Sequence, residues 1–112
     1  MTEIWHNPRC SKSRQTLALL QERGAVDVRL YLQDAPTAEE IAAALQALDM
    51  PAAKLMRRGE AVFKELGLAK ETDEAALVAA MAANPILIER PVVFANGKAA
   101  LGRPPEAVLD IL

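Results

Sequence analysis

The sequence predicts a single α/β domain over residues 1–112, built on a mixed sheet. The chain opens with a strand-helix-strand pattern, continues with an alanine-rich helical block over about residues 37–84, and ends with a hairpin and a helix. Its 112 residues, of which 52% are apolar, suffice to bury a core without disulfides or metals. The predicted order is therefore β-α-β, a helical insertion, then β-β-α.

The first part of the chain predicts a βαβ unit. Residues 1–5 form a short apolar strand, residues 15–24 follow a helical pattern closed by Gly24, and residues 26–32 form a second strand. Because one helix of about a dozen residues joins the two strands, we expect them to be parallel with a right-handed crossover.

The middle of the chain predicts several short helices. Thr37 and Glu40 form a capping box ahead of a helix over residues 41–48, and Thr72 or Asp73 caps the last helix of the block. Each helix is too short to be stable without tertiary packing. The other predicted helices cover residues 51–57, opened by Pro51, residues 61–66, ended by Gly67, and residues 74–83.

The last part of the chain predicts a hairpin and a terminal helix. Residues 90–95 form a strand, Asn96-Gly97 is a strong type I′ turn signal, and residues 98–101 return as the partner strand. A proline-led amphipathic helix over residues 106–112 follows. The complete order of elements is that of a thioredoxin-like domain.

Composition excludes several classes of protein. The net charge of −2 gives no reason to expect nucleic acid or acidic membranes as partners. No signal peptide and no run of membrane-spanning length is present, so we expect a cytoplasmic protein. One cysteine cannot form an internal disulfide, and one histidine with one cysteine makes a zinc or iron–sulfur site improbable. We therefore expect no bound metal or cofactor.

The stretch from His6 to Arg14 holds the only histidine and the only cysteine, Cys10, and it is rich in cationic side chains. Because Cys10 follows a strand and precedes a helix, unpaired N–H groups and the helix dipole favour its thiolate. A structural role for Cys10 as a small buried hydrophobe suits this polar loop poorly. His6 is either a charge partner for the thiolate or only a strand-end residue. Ser11 and Ser13 are candidate helix caps, and Ser11 can also donate to a ligand.

The spacing from Cys10 to Ser13 is Cys-x-x-Ser, where a dithiol redox protein has Cys-x-x-Cys. Any oxidised or substrate-bound Cys10 must then be resolved by an external thiol, for which glutathione or a glutaredoxin is the obvious candidate. Arg14 follows Cys10 after three residues, whereas a phosphatase-type loop needs five, so that motif is absent.

Three arginines elsewhere predict an anion pocket. Arg57 ends a predicted helix, while Arg90 and Arg103 each precede a proline and are held extended at element boundaries. Guanidinium groups match tetrahedral oxyanions in fork geometry and stay charged at every relevant pH. Each arginine alone suits a surface charge, but together with the basic cysteine loop they favour oxyanion binding.

Four stretches are distinctive in combination and span nearly the whole chain. They read His-Asn-Pro-Arg-Cys from His6, Lys-Glu-Leu-Gly-Leu from Lys64, Asn-Pro-Ile-Leu-Ile-Glu-Arg-Pro-Val-Val from Asn84, and Gly-Arg-Pro-Pro-Glu-Ala-Val-Leu-Asp-Ile-Leu from Gly102. Together they resemble the glutaredoxin-dependent arsenate reductase family, a thioredoxin-like group with a helical insertion. The resemblance implies that Cys10 is the nucleophile. It also implies that three arginines bind arsenate and the later arsenite adduct, namely Arg57, Arg90 and Arg103.

The same resemblance extends to the loop around the nucleophile. His6 matches the histidine thought to favour the thiolate, Ser13 and Arg14 match residues of the cysteine loop, and Pro91 is expected to follow a cis bond. The Ser11-Lys12 pair differs from the Gly-Thr of the plasmid-borne resistance enzymes and resembles a chromosomal branch of the family. Lys12 adds a charge that can alter anion choice.

The function implied by the resemblance is reduction of arsenate to arsenite through a Cys10–arsenate adduct, with glutathione as co-substrate and a glutaredoxin as partner. Two alternatives stay open. Spx-type transcription regulators share this fold and bind RNA polymerase, although they commonly carry a second cysteine where this chain has Ser13. The other alternative is a glutathione-linked thiol oxidoreductase acting on protein mixed disulfides.

Overall fold

A computed structural model describes residues 2–70 and 73–112, which form two compact units. The sheet unit comprises the chain up to Asp34 and again from Arg90 onward, and the helical unit runs from Ala35 to Glu89. The predicted helical insertion lies within the helical unit. The α/β, thioredoxin-like fold with a mixed sheet is confirmed. The assignment of one domain stays a prediction.

Among the described residues, the sheet unit has four strands, which are β1 at Thr2–Trp5, β2 at Val26–Arg29, β3 at Val92–Ala95 and β4 at Lys98–Leu101. Their order in the sheet is β2-β1-β3-β4. β1 runs parallel to β2, while β1 with β3 and β3 with β4 are antiparallel. This arrangement confirms the parallel pairing expected from the short helical connection.

The core of the sheet unit joins the sheet to the helix α1, which spans Ser11–Gln21. Ile4 from β1 and Val93 from β3 pair in the sheet and are fully buried. They cluster with Leu20 of α1 and with Val108 of the C-terminal segment. This packing holds α1 and the C-terminal segment against the sheet.

Several predicted elements of the sheet unit differ in extent or type. The first helix spans Ser11–Gln21 and not residues 15–24, and the third strand begins at Val92 and not at residue 90. The second strand ends at Arg29 and not at residue 32, because its partner β1 ends at Trp5 and because the N–H groups of Gln33 and Asp34 donate to Leu30 O in a turn. The terminal helix is a 3-10 helix over Pro105–Ile111, with a bond from the Ala107 N–H to Pro104 O, since the short segment tightens to bonds three residues apart.

The hairpin prediction is confirmed. Asn96 has φ 55° and Gly97 has φ 74°, which are the two positive angles that a type I′ turn requires. The Asn96 Nδ2 also donates to Ile111 O at 2.8 Å, so the turn is tied to the C-terminal segment.

The helical unit begins at the predicted capping box. The Glu40 N–H donates to Thr37 Oγ1 at 3.1 Å, and the Thr37 N–H donates to Glu40 Oε1 at 2.9 Å. Asp73 caps the helix over Glu74–Ala83 by accepting from the Ala75 N–H, whereas Thr72 lies outside the described residues. The helices are α2 at Ala38–Leu48, α3 at Ala52–Leu55, α4 at Ala61–Glu65 and α5 at Glu74–Ala83, with 3-10 helices at Leu68–Lys70 and Pro85–Leu87.

The predicted helix over residues 51–57 is too long. It ends at Leu55, because Met56 is extended (φ −90°, ψ 141°) and pairs with Ile88. Arg57 therefore follows a helix and a bridge residue and does not end a helical turn. Among the described residues, no helix combines the length and the apolar character needed to cross a membrane.

We expect Thr37→Ala to lower the free energy of unfolding by about 1 kcal/mol, because the side-chain acceptor for the Glu40 N–H is lost. Thr37→Ser keeps a hydroxyl acceptor and is the matched control, with an expected loss well below that of the alanine variant. Urea unfolding of both variants provides the measurement. Equal stability of the alanine and serine variants would show that the bond from the Glu40 N–H to the Thr37 hydroxyl contributes nothing.

Candidate active site

Cys10 occupies the N-cap position of α1, with an extended backbone at φ −96° and ψ 122°. Its N–H donates to Asn7 O at 3.0 Å, and its carbonyl accepts from the Arg14 N–H at 3.0 Å. The residue is 8% exposed, so the thiol is largely shielded from water. Because Cys10 holds the N-cap position, Ser11 and Ser13 lie inside the helix, and the prediction that they act as caps is wrong.

Opposing effects act on the pKa of the Cys10 thiol. Burial raises that pKa, but the backbone N–H groups of Ser13 and Lys12 and the charges of Arg90 and Arg103 lower it. The net result is a pKa below the ordinary value for a cysteine. The thiolate, which is the nucleophilic form, is therefore favoured in this loop.

Arg103 makes a direct contact with the thiol. Its Nη2 lies 3.6 Å from Cys10 Sγ, and its Nε donates to Arg90 O at 2.8 Å. The second bond ties the Arg103 guanidinium to the backbone carbonyl of Arg90. The cis bond expected before Pro91 is present, and the Arg103–Pro104 bond is also cis.

Gly102 holds the segment before Arg103 close to α1. Its N–H donates to Pro91 O at 3.0 Å. A Cβ at this position would lie 2.7 Å from Pro91 Cγ and 3.0 Å from Thr16 Cγ2, both closer than ordinary contacts. Sequence reasoning missed Gly102 and Thr16, since only the packing of two distant segments reveals the close approach.

His6 is buried next to Ser13. Its Nδ1 lies 2.6 Å from Ser13 Oγ, which also accepts from the Asn7 N–H at 3.0 Å. Burial, and then the charge of Arg14, lower the pKa of the His6 imidazole below its ordinary value. The neutral imidazole is thus favoured, and its contact in this structure is with Ser13. A part for His6 in the reaction stays a prediction.

The remaining predicted residues of the cysteine loop lie at its surface. Ser11 and Lys12 are exposed in the first turn of α1. Arg14 uses Nη1 to donate to Pro8 O at 2.9 Å, so it holds the loop that precedes Cys10. The binding roles assigned to Ser11, Ser13 and Arg14 stay predictions.

Arg57 lies in the helical unit, where it bonds to Leu87 and to Glu60. Its N–H donates to Leu87 O at 2.7 Å, and its Nη2 forms an ion pair with Glu60 Oε1 at 2.6 Å. Sequence reasoning missed Glu60, although its position three residues after Arg57 was the available signal. Within residues 2–70 and 73–112, no group of three or more histidine, cysteine, aspartate or glutamate side chains is placed to hold a metal ion.

The fold and the site define a thioredoxin-like protein with one activated thiol at a helix N-terminus and arginines beside it. Residues 5–111 match the ArsC family, and the chain belongs to that family.

Relatives in this family resemble the chain over almost its full length. It is 47% identical to an arsenate reductase of Neisseria meningitidis, and the alignment covers 98% of the chain and 97% of the relative. It is 52% identical to the Escherichia coli protein YfgD, described as uncharacterized, over 98% of the chain and 95% of the relative. The solved structure of an arsenate reductase from Vibrio cholerae aligns with a TM-score of 0.96 and 48% identity, covering 99% of this chain and 97% of that one.

We expect Arg103→Gln to raise the pKa of the Cys10 thiol, because a positive charge beside Sγ is removed. The rate of alkylation by iodoacetamide at neutral pH should fall by roughly three- to tenfold, as the thiolate fraction falls. Titration of thiolate absorbance against pH gives an independent measure.

Arg23→Gln is the matched control, since it removes the same charge beyond the far end of α1. An 11-residue helix separates the two ends by more than a Debye length, so this variant should alkylate at the wild-type rate. Equal rates for the two variants would contradict a direct effect of Arg103 on the thiolate.

Proposed function

We propose that this chain reduces arsenate to arsenite, with the Cys10 thiolate as nucleophile and with glutathione and a glutaredoxin as external reductants. The observation that carries the proposal is the contact of 3.6 Å between Arg103 Nη2 and Cys10 Sγ. It places a guanidinium beside an activated thiol, which suits attack on a negatively charged tetrahedral centre. The arsenate reductases of N. meningitidis and V. cholerae supply the choice of arsenate among oxyanions.

The first chemical step forms a sulfur–arsenic bond. Cys10 Sγ attacks the arsenic atom of arsenate, and one arsenate oxygen leaves as water after protonation. Charge on the remaining oxygens is stabilised by Arg103 and Arg90, whose positive charges both act on Cys10. The Arg103 guanidinium is already oriented by its bond to Arg90 O. The family resemblance adds Arg57 as a third guanidinium for the oxyanion.

The electrons come from two external thiols, because Cys10 is the only cysteine in the chain. Glutathione forms a second sulfur–arsenic bond and displaces another oxygen as water. A glutaredoxin thiolate then attacks the glutathione sulfur, a mixed disulfide forms, and the electron pair of the broken bond stays on arsenic. Arsenic(V) thereby becomes arsenic(III). Hydrolysis of the remaining bond to Cys10 releases arsenite and restores the thiolate.

We expect Cys10→Ser to abolish arsenite release, because serine cannot supply a thiolate or a stable bond to arsenic. The measurement is arsenite formed from arsenate in the presence of glutathione, glutaredoxin and the NADPH-dependent regenerating system. Omission of glutaredoxin or of glutathione from the wild-type assay should also stop turnover. Gln15→Ala, at an exposed position further along α1, is the control and should keep the wild-type rate.

Retained turnover by Cys10→Ser would contradict the mechanism. A glutathionylated test protein, supplied in place of arsenate, separates the proposal from a general thiol oxidoreductase. Faster turnover of that substrate than of arsenate would favour the oxidoreductase.

A further inference from the structure

Arg57 and Glu60 form an ion pair whose two members are fixed by the backbone. Arg57 is held through its N–H bond to Leu87 O, and the Glu60 N–H donates to Arg57 O at 3.3 Å. The two side chains are 20% and 24% exposed, so the pair is more buried than an ordinary surface ion pair. Glu60 is also the N-cap residue of α4, yet its carboxylate does not cap that helix and binds the guanidinium instead.

Only some of the N–H donors of the Arg57 guanidinium have a hydrogen-bond partner among the described residues. Of its five N–H donors, one on Nη2 meets Glu60 and one on Nη1 makes a long bond of 3.5 Å to Ile86 O. The described residues give no hydrogen-bond partner to the other three. The pair borders an open pocket of about 500 Å³ within the helical unit. An oxyanion that binds Arg57 thus finds free donors, but also a carboxylate already in place.

We propose that Glu60 is an internal counter-anion that competes with oxyanions for Arg57 and thereby sets their affinity according to their charge. The inference rests on the proposed function, in which Arg57 contributes to oxyanion binding. A carboxylate at 2.6 Å from Nη2 neutralises part of the guanidinium charge and repels each negative charge brought to the same group. A dianion is therefore penalised more than a monoanion.

The other charged groups lining this pocket are Arg58 and Glu89. They belong to the same pocket in every variant below, so their effect is constant across the comparison. The charge that changes is that of Glu60, and glutamine keeps its length and its ability to accept a hydrogen bond from Arg57. An effect of Glu60→Gln therefore reports on charge rather than on shape.

The test is an NMR titration of the isotope-labelled full chain with inorganic phosphate, followed through the amide signals of Gly59 and its neighbours. We expect Glu60→Gln to tighten phosphate binding by roughly three- to tenfold. Glu65→Gln, which removes an exposed carboxylate at the other end of α4, is the matched control and should change binding by less than about twofold. Arg57→Gln should remove the phosphate-induced shifts.

The pH profile separates competition from a merely structural role. Phosphate passes from monoanion to dianion near neutral pH, so the gain in affinity from Glu60→Gln should be larger above that transition than below it. With arsenate as substrate, the same variant should lower KM and leave kcat unchanged.

Three results would overturn the inference. They are unchanged or weaker phosphate binding by Glu60→Gln, an equal gain from Glu65→Gln, and a gain that does not grow with pH. Phosphate shifts that survive in Arg57→Gln would overturn both this inference and the proposed role of Arg57. If the phosphate results hold but the wild-type protein releases no arsenite, the proposed function fails and the competition between Glu60 and oxyanions stands.

Discussion

The balance of forces on the Cys10 sulfur is the constraint on which the rest of the site depends. Burial opposes a thiolate, and it is outweighed by the N–H groups of the first turn of α1 and by two arginine charges. Shielding from water strengthens those same electrostatic interactions. The thiolate of Cys10 is thus favoured by backbone N–H groups and arginine charges together. In the proposed function, the substrate is an oxyanion held by Arg90 and Arg103, and the reductant comes from outside the chain.

Within the sheet unit, contacts between segments far apart in sequence position the groups that act on the pKa of the Cys10 thiol. The end of β1 leads into the loop that presents Cys10, and the buried cluster around Ile4 and Val108 fixes α1 against the C-terminal segment. Gly102, just after β4, lets the chain pass close to Thr16 of α1, and the next residue, Arg103, contacts the sulfur. The hairpin and the C-terminal 3-10 helix therefore help to position the site in addition to contributing to the core.

Elements with strong local signals were predictable, and elements set by tertiary partners were not. The capping box at Thr37 and the Asn96-Gly97 turn depend on a few adjacent residues, and both are present. The end of β2 depends on where β1 stops, and the end of α3 depends on the pairing of Met56 with Ile88. For the same reason, the sequence indicated Cys10 and the pre-proline arginines, but not Gly102 or the ion pair of Glu60 with Arg57.

The most direct test of the account is the coordination of arsenic on the protein. X-ray absorption at the arsenic edge can be recorded for the wild-type chain and for Cys10→Ser, each mixed with arsenate in the absence of any external thiol. The account predicts a sulfur ligand to arsenic in the wild-type sample and only oxygen ligands in the serine variant. Oxygen-only coordination in the wild-type sample, at arsenate concentrations that saturate turnover, would contradict attack by Cys10 on the oxyanion.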